Sequence, residues 1–233
     1  MCREYADKLV FVKARIIHYL KEIFKVYGNE LLLRLEDCNL LQDECNCIET
    51  STATGFILEE FITTKLEVYT QGHEGRGEIR IRKISSSTVN SSYDCYAEYE
   101  GILVMINIKI QKATSSNNAV AAINILHNDY VLTEPEREKA YFILKTYYSF
   151  ENSLRDGERK IRIQDVNGYF LEEFDFSLGH RQDHRNWSEN FNANAGRLQV
   201  SAAWAREHRM AAEEISYERT KAFIQQIYQR NRA

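Results

Sequence analysis

The chain has no run of about 18 apolar residues, so no membrane-spanning helix is expected. Its first residues, MCREYADKLVFVKAR, set a charge inside each apolar patch and offer no small-residue cleavage site, which argues against a signal peptide. Cysteine is scarce and odd in number: there are five, without a CxxC or a Cys/His zinc spacing. Cys38, Cys45 and Cys47 cluster, but reduced thiols in a cytoplasm are the plain reading. A positive surplus is also missing. The net charge is -4, which does not by itself advertise a nucleic-acid partner. What is present is 44% hydrophobic and 12% aromatic residues, enough to exclude a disordered chain. A length of 233 residues suits one domain with a full core.

The charge is unevenly placed. Arg76, Arg80, Arg82 and Lys83 outnumber Glu74 and Glu78 in a stretch rich in glycine and then serine, which ends at Ser91 and Ser92. Arg181, Arg185, Arg197, Arg206 and Arg209 outnumber Asp183, Glu189 and Glu207 further on. Local charge governs contact with phosphate, so the acidic total does not disqualify either segment.

Apolar spacings of three and four predict a helix over residues 4–27, stopped by Gly28, and a second helix over about 29–35. Residues 1–50 are expected to serve packing or dimerisation, as a helical arm. A third helix starts near Ser51–Thr54 and buries Leu58, Phe61, Ile62, Leu66 and Tyr69. Glu60 falls opposite that stripe and Glu59 at its border. A short strand is expected over 78–84, and a helix from 114–118 to about Asp129. After the only proline, Pro135, comes a buried strand over 139–150. Residues 160–164 and 169–176 read as a hairpin about Asp165–Gly168, because Asn-Gly favours a tight turn. Residues 179–200 are too polar for a core strand. Residues 201–230 read as one long helix.

The chemistry concentrates in YDCYAEYEGILVMINIK, residues 93–109. From Ile102 to Gln111 the side chains alternate as a half-buried strand requires. Asn107 and Lys109 share one face. Asp94 to Tyr99 can pair with this strand through a turn at Glu100-Gly101. A two-residue turn places Asp94 opposite Asn107; a longer one shifts the register but keeps the polar groups close. An unpaired lysine on a half-buried strand is costly, which favours a functional role for Lys109.

The order helix, hairpin, helix, strand, hairpin, helix describes an α/β core, a mixed sheet flanked by helices. At Tyr93-Asp94 and Asn107-Ile108-Lys109 the chain resembles the PD-(D/E)xK nuclease family, in particular its Type II restriction endonucleases. Glu59 matches the helix glutamate that often completes the site. The polar loop before the C-terminal helix resembles in placement the major-groove loop of the EcoRV-like, blunt-cutting branch, and the basic run before Asp94 lies where those enzymes approach the minor groove. The resemblance implies one nuclease domain with a catalytic core over 51–178 and a recognition loop and helix over 179–233. It implies sequence-specific, Mg²⁺-dependent hydrolysis of double-stranded DNA at a palindromic site by a homodimer, without a membrane partner.

Asp94, Glu59 and Asn107 would hold the metal, and Lys109 would sit against the scissile phosphate. Arg76, Arg80, Arg82, Lys83, Ser91 and Ser92 would contact DNA from one side. Arg181, His184, Arg185, Asn186, Asn190, Asn192, Asn194 and Arg197 would do so from the other, where Arg suits guanine and Asn adenine.

Asn107 departs from the family pattern, which has a carboxylate there. Three explanations stand: tolerance of the amide with Glu59 supplying charge, an inactivating substitution, or a protein that binds DNA without cutting it. Other nucleases of the same family are a further alternative. On the sequence alone, Asn107→Asp is expected to preserve or raise activity.

Overall fold

The computed structural model describes residues 2–33, 51–72, 77–84, 91–114, 119–152, 159–176 and 196–230. Its centre is a strand that is buried along most of its length. β4 (Ile102–Lys112) has every residue from Ile102 to Ile108 buried, on both faces. The expected half-buried strand is therefore an interior one. Helices flank the sheet, and a small second sheet of two strands reaches it at Asn107.

Among the described residues a six-stranded sheet runs in the order β1 (Glu30–Leu33), β7 (Arg159–Phe170), β6 (Lys139–Asn152), β4, β3 (Cys95–Tyr99), β2 (Ile81–Lys83). Only β4 and β6 are parallel; the other pairings are antiparallel. A mixed sheet flanked by helices is thus what the chain builds, as its element order implied.

The 3–4 hairpin has the register the two-residue turn demands. Cys95 pairs with Ile106 and Tyr99 with Ile102. Glu100 and Gly101 both have positive φ, 45° and 87°, the backbone of a tight hairpin turn.

α1 (Cys2–Tyr27) and α2 (Ser51–Thr70) pack against each other and on the sheet. Leu9, Val12, Ile16, Leu20 and Ile23 are all buried in the main core, so packing is a role the first helix fills. In α2 the stripe narrows to Leu58, Ile62 and Leu66; Phe61 and Tyr69 stay half-exposed. No helix among the described residues is long and apolar enough to cross a membrane.

Tertiary pairing overrides several local expectations. The second predicted helix is instead β1. Gly28 turns the chain at φ 86°, and Glu30–Leu33 then pairs with Arg159–Arg162 at the sheet edge. The Asn167-Gly168 turn does not form either. Both residues run straight through β7, opposite Lys145 and Leu144. The reason is a close approach: the Phe142 ring occupies the place where a Cβ on residue 168 would sit. Residues 78–84 yield only the three-residue β2.

The helix expected from 114–118 begins later. β5 (Ala119–Ala122) comes first, then α3 (Ile123–His127) and a π-helical turn over Asn128–Leu132. Arg197–Gln199 forms β8, paired with β5, and Leu198 is fully buried. The polar stretch therefore does supply one short strand at its end. The C-terminal helix is broken into α4 (Ala202–Glu207) and α5 (Tyr217–Arg230). Between them the backbone pairs elsewhere: Asp175 N donates to His208 O (2.8 Å) and Met210 N to Glu173 O (2.9 Å).

Candidate active site

Asp94 stands just before β3, across the hairpin from Asn107. Its backbone N–H donates to Ile106 O (2.9 Å), continuing the ladder one step past the strand. Its Oδ2 accepts from the Ile108 backbone N–H at 2.6 Å. The carboxylate is thereby clamped onto β4 between Asn107 and Lys109. Burial pushes its pKa up, against the pull of that hydrogen bond and of the Lys109 ammonium.

Lys109 is on the same strand, where β4 passes from buried to half-buried. Loss of water lowers its pKa first of all. Asp94 and Glu59 act in the opposite direction, and the Arg197 guanidinium of β8 adds to the lowering. Glu59, at the border of α2 as its helical phase predicts, is half-buried. Burial and then the charge of Asp94 push its carboxyl up to about 7, with Lys109 opposing. Two carboxyl groups and an ammonium thus share one poorly hydrated end of the sheet. They feel one another's charge.

Asn107 is placed differently. It is buried, and its Nδ2 donates to Ser92 O (2.7 Å), Val120 O (3.0 Å) and Tyr141 Oη (2.8 Å). Two of these partners are carbonyl oxygens, so the amide nitrogen must face them. Its Oδ1 is left buried without a donor. The residue ties the segment before Asp94 to β5 and β6.

The remaining predicted residues divide. Ser92 is buried: its backbone N–H donates to Asp129 Oδ2 (2.6 Å), and its carbonyl accepts from Asn107 and from the Tyr141 hydroxyl. It braces the site from inside, with only 7% of its surface exposed. Ser91 is half-exposed beside it. Arg80 and Arg82 are exposed, Arg82 on the edge strand β2. Lys83 pairs with Glu60 and is half-buried. The residue after it, Ile84, donates its N–H to Asp94 O (3.3 Å), so this basic edge runs directly to the site. Arg197 is exposed and near enough to Lys109 for its charge to be felt. Arg76, Arg181, His184, Arg185, Asn186, Asn190, Asn192 and Asn194 lie outside the described residues, as do Cys38, Cys45 and Cys47.

One residue escaped sequence reading. Lys145, in the run expected to be a buried strand, is the register partner of Lys109 on β6 and only 9% exposed. The same signal that singles out Lys109, a lysine inside an apolar strand, was there to be read.

Among the described residues no three His, Cys, Asp or Glu side chains cluster closely enough to hold a metal on their own. The carboxylates available are Asp94 and Glu59, which feel each other's charge. Mg²⁺ commonly takes one or two carboxylates and keeps several waters, and this set suits it. Asp94 raises the pKa of Glu59, a repulsion that a cation would relieve. That repulsion fits a cation; the Asn107 Oδ1, a buried acceptor lacking a donor, is closed off from solvent.

Neither a family model nor a curated protein sequence matches this chain.

Proposed function

We propose that the protein is a Mg²⁺-dependent endonuclease of the restriction type, hydrolysing phosphodiester bonds in double-stranded DNA as a homodimer at a short palindromic site. The observation that carries this reading is the coupled group Asp94, Glu59 and Lys109, withdrawn from water at one end of a mixed sheet. A structural ion pair would account for one acid and one base. It does not account for a second carboxyl whose pKa the charge of the first pushes further up.

Asp94 and Glu59 would hold the ion, with the Asn107 carbonyl as a neutral third ligand. When bound, Mg²⁺ would polarise the phosphoryl group and lower the pKa of water. Asp94 enters the reaction already oriented, since the Ile108 N–H fixes one of its oxygens. Lys109, when protonated, donates to the phosphoryl oxygens as charge builds on them. Burial lowers its pKa, the direction required of a group that would accept a proton from the attacking water. The leaving 3′ or 5′ oxygen departs as the P–O bond breaks and takes its proton from solvent. Arg82 and Arg197, exposed on two sides, would meet the flanking phosphates. A homodimer would match a palindrome by its own two-fold symmetry.

A second reading rests on Asn107. An amide replaces a negative ligand and is locked by three oxygens, which weakens metal binding; the protein would then recognise DNA without cutting it. One experiment separates the two. The purified chain is assayed for duplex binding in Ca²⁺ and for digestion of plasmid DNA in Mg²⁺, with run-off sequencing of the ends. Discrete, Mg²⁺-dependent fragments support the nuclease. Specific binding with intact plasmid supports the second reading, and absence of both rejects each.

A further inference from the structure

Lys109 and Lys145 are register partners on the parallel strands β4 and β6. Paired residues on adjacent strands project from the same face, about 4.8 Å apart at the backbone. Lys145 is the more buried of the two, at 9% exposure. Among the described residues it has no carboxylate partner. Its ammonium lies 5.4 Å from the centre of the Tyr169 ring, and loss of water alone lowers its pKa. A lysine kept so dry without a counter-charge is a standing cost to the fold.

The side chain lines a cavity of about 360 Å³ between the sheet face and α4, within the size range of small-ligand sites. Tyr169 lines it too, and its hydroxyl is buried with no hydrogen-bond partner. Arg206 and Arg209 lie along the α4 side. Glu173, whose charge reaches Tyr169, is already engaged: it pairs with Lys13 at 2.5 Å and with Arg209 at 3.5 Å. The cavity therefore gathers an ammonium without a counter-ion, a phenol hydroxyl without a hydrogen-bond partner and the Arg206 guanidinium, and no carboxylate is among its lining residues.

We propose that this cavity binds a phosphate group, held by the Lys145 ammonium, the Tyr169 hydroxyl and Arg206. A tetrahedral anion with several acceptor oxygens satisfies donors converging from the sheet and from the helix at once. The inference stands apart from the nuclease reading. The adjacency of Lys145 to Lys109 suggests one source, a backbone phosphodiester of a strand that also reaches Lys109. A free phosphate ester is the other source with the same chemistry.

Inorganic phosphate is the probe. The thermal midpoint of the wild-type chain should rise saturably with phosphate, beyond chloride at matched ionic strength. Lys145→Met should abolish that rise. Tyr169→Phe, which keeps the ring and removes only the hydroxyl, should reduce it. A wild type without a phosphate-specific rise, or a full rise retained in Lys145→Met, overturns the proposal.

Duplex binding in Ca²⁺ then assigns the source. Weaker binding by Lys145→Met, with the slope of log K against log salt reduced by about one, identifies a backbone phosphodiester. Unchanged duplex binding with the phosphate response lost identifies a free ester. A phosphate response in a wild type that binds no duplex upholds the cavity and rejects the nuclease.

Discussion

The Asp94 carboxylate accepts the backbone N–H of Ile108 at 2.6 Å, so the acid of one strand is fastened to the neighbour that carries Lys109. That single bond separates the proposed catalytic duty of Asp94 from its structural one. Asp94→Asn keeps an acceptor for the Ile108 N–H, and Asp94→Ala leaves the donor unanswered in the core. Both variants should lose Mg²⁺-dependent cleavage by about a hundredfold or more. Only the alanine should also lose stability, by about 1–3 kcal/mol in a urea titration.

Lys109→Met should remove cleavage to a similar degree while duplex binding in Ca²⁺ persists. Its aliphatic stem is replaced closely by methionine, so packing is preserved. Cleavage at the wild-type rate would remove Lys109 from the site.

Asn107→Asp now carries a different expectation from the one the motif alone suggests. A carboxylate oxygen in place of Nδ2 would face the carbonyls of Ser92 and Val120, where an N–H₂ group now donates. The variant should be destabilised by about 2–5 kcal/mol near neutral pH and should bind Mg²⁺ no better unless the segment 91–94 rearranges. A variant as stable as wild type and more active would show that the amide is not held in this way.

Glu172 sets a pH dependence of stability. It is fully buried, accepts from the Tyr130 hydroxyl at 2.5 Å and from Tyr141 N at 3.1 Å, and burial pushes its pKa from 4.5 to about 8. Below 4.5 both folded and unfolded chains hold the proton. Between 4.5 and 8 only the folded chain does, so stability falls as pH rises, by up to about 1.4 kcal/mol per unit. In Glu172→Gln this component should vanish. Urea titrations of both proteins at pH 5 and pH 7.5 should show the variant gaining on the wild type at the higher pH.

Gly168→Ala should destabilise the fold by about 1–3 kcal/mol or more, because the added methyl meets the Phe142 ring and the Ile143 carbonyl. Pairing Gly168→Ala with Phe142→Leu should recover part of the loss in a thermal melt.

Elements carrying strong local signals were legible from the sequence. The hairpin register followed from alternation and from Glu100-Gly101, since a two-residue turn admits one pairing. The phase of α2 placed Glu59 at its border and Glu60 in water. Elements that depend on distant partners were not. Residues 30–33 have helical composition but lie beside an open sheet edge, and the ladder with β7 satisfies their backbone there. Asn167-Gly168 has the chemistry of a turn, yet its glycine serves the close approach of Phe142. The C-terminal helix is interrupted where its backbone finds partners at Glu173 and Asp175.

That Asp94 and Lys109 lie close across one hairpin was determined by the sequence alone, because pleat and turn length are local. Which groups lose their water was decided by the tertiary structure. Only the closure of β5 and β8 over the sheet turns Asn107 into a brace with one bare oxygen. Only the parallel pairing of β4 with β6, formed across a crossover of distant residues, brings Lys145 beside Lys109. Burial is a property of the whole packed molecule. It shifts the pKa of these side chains.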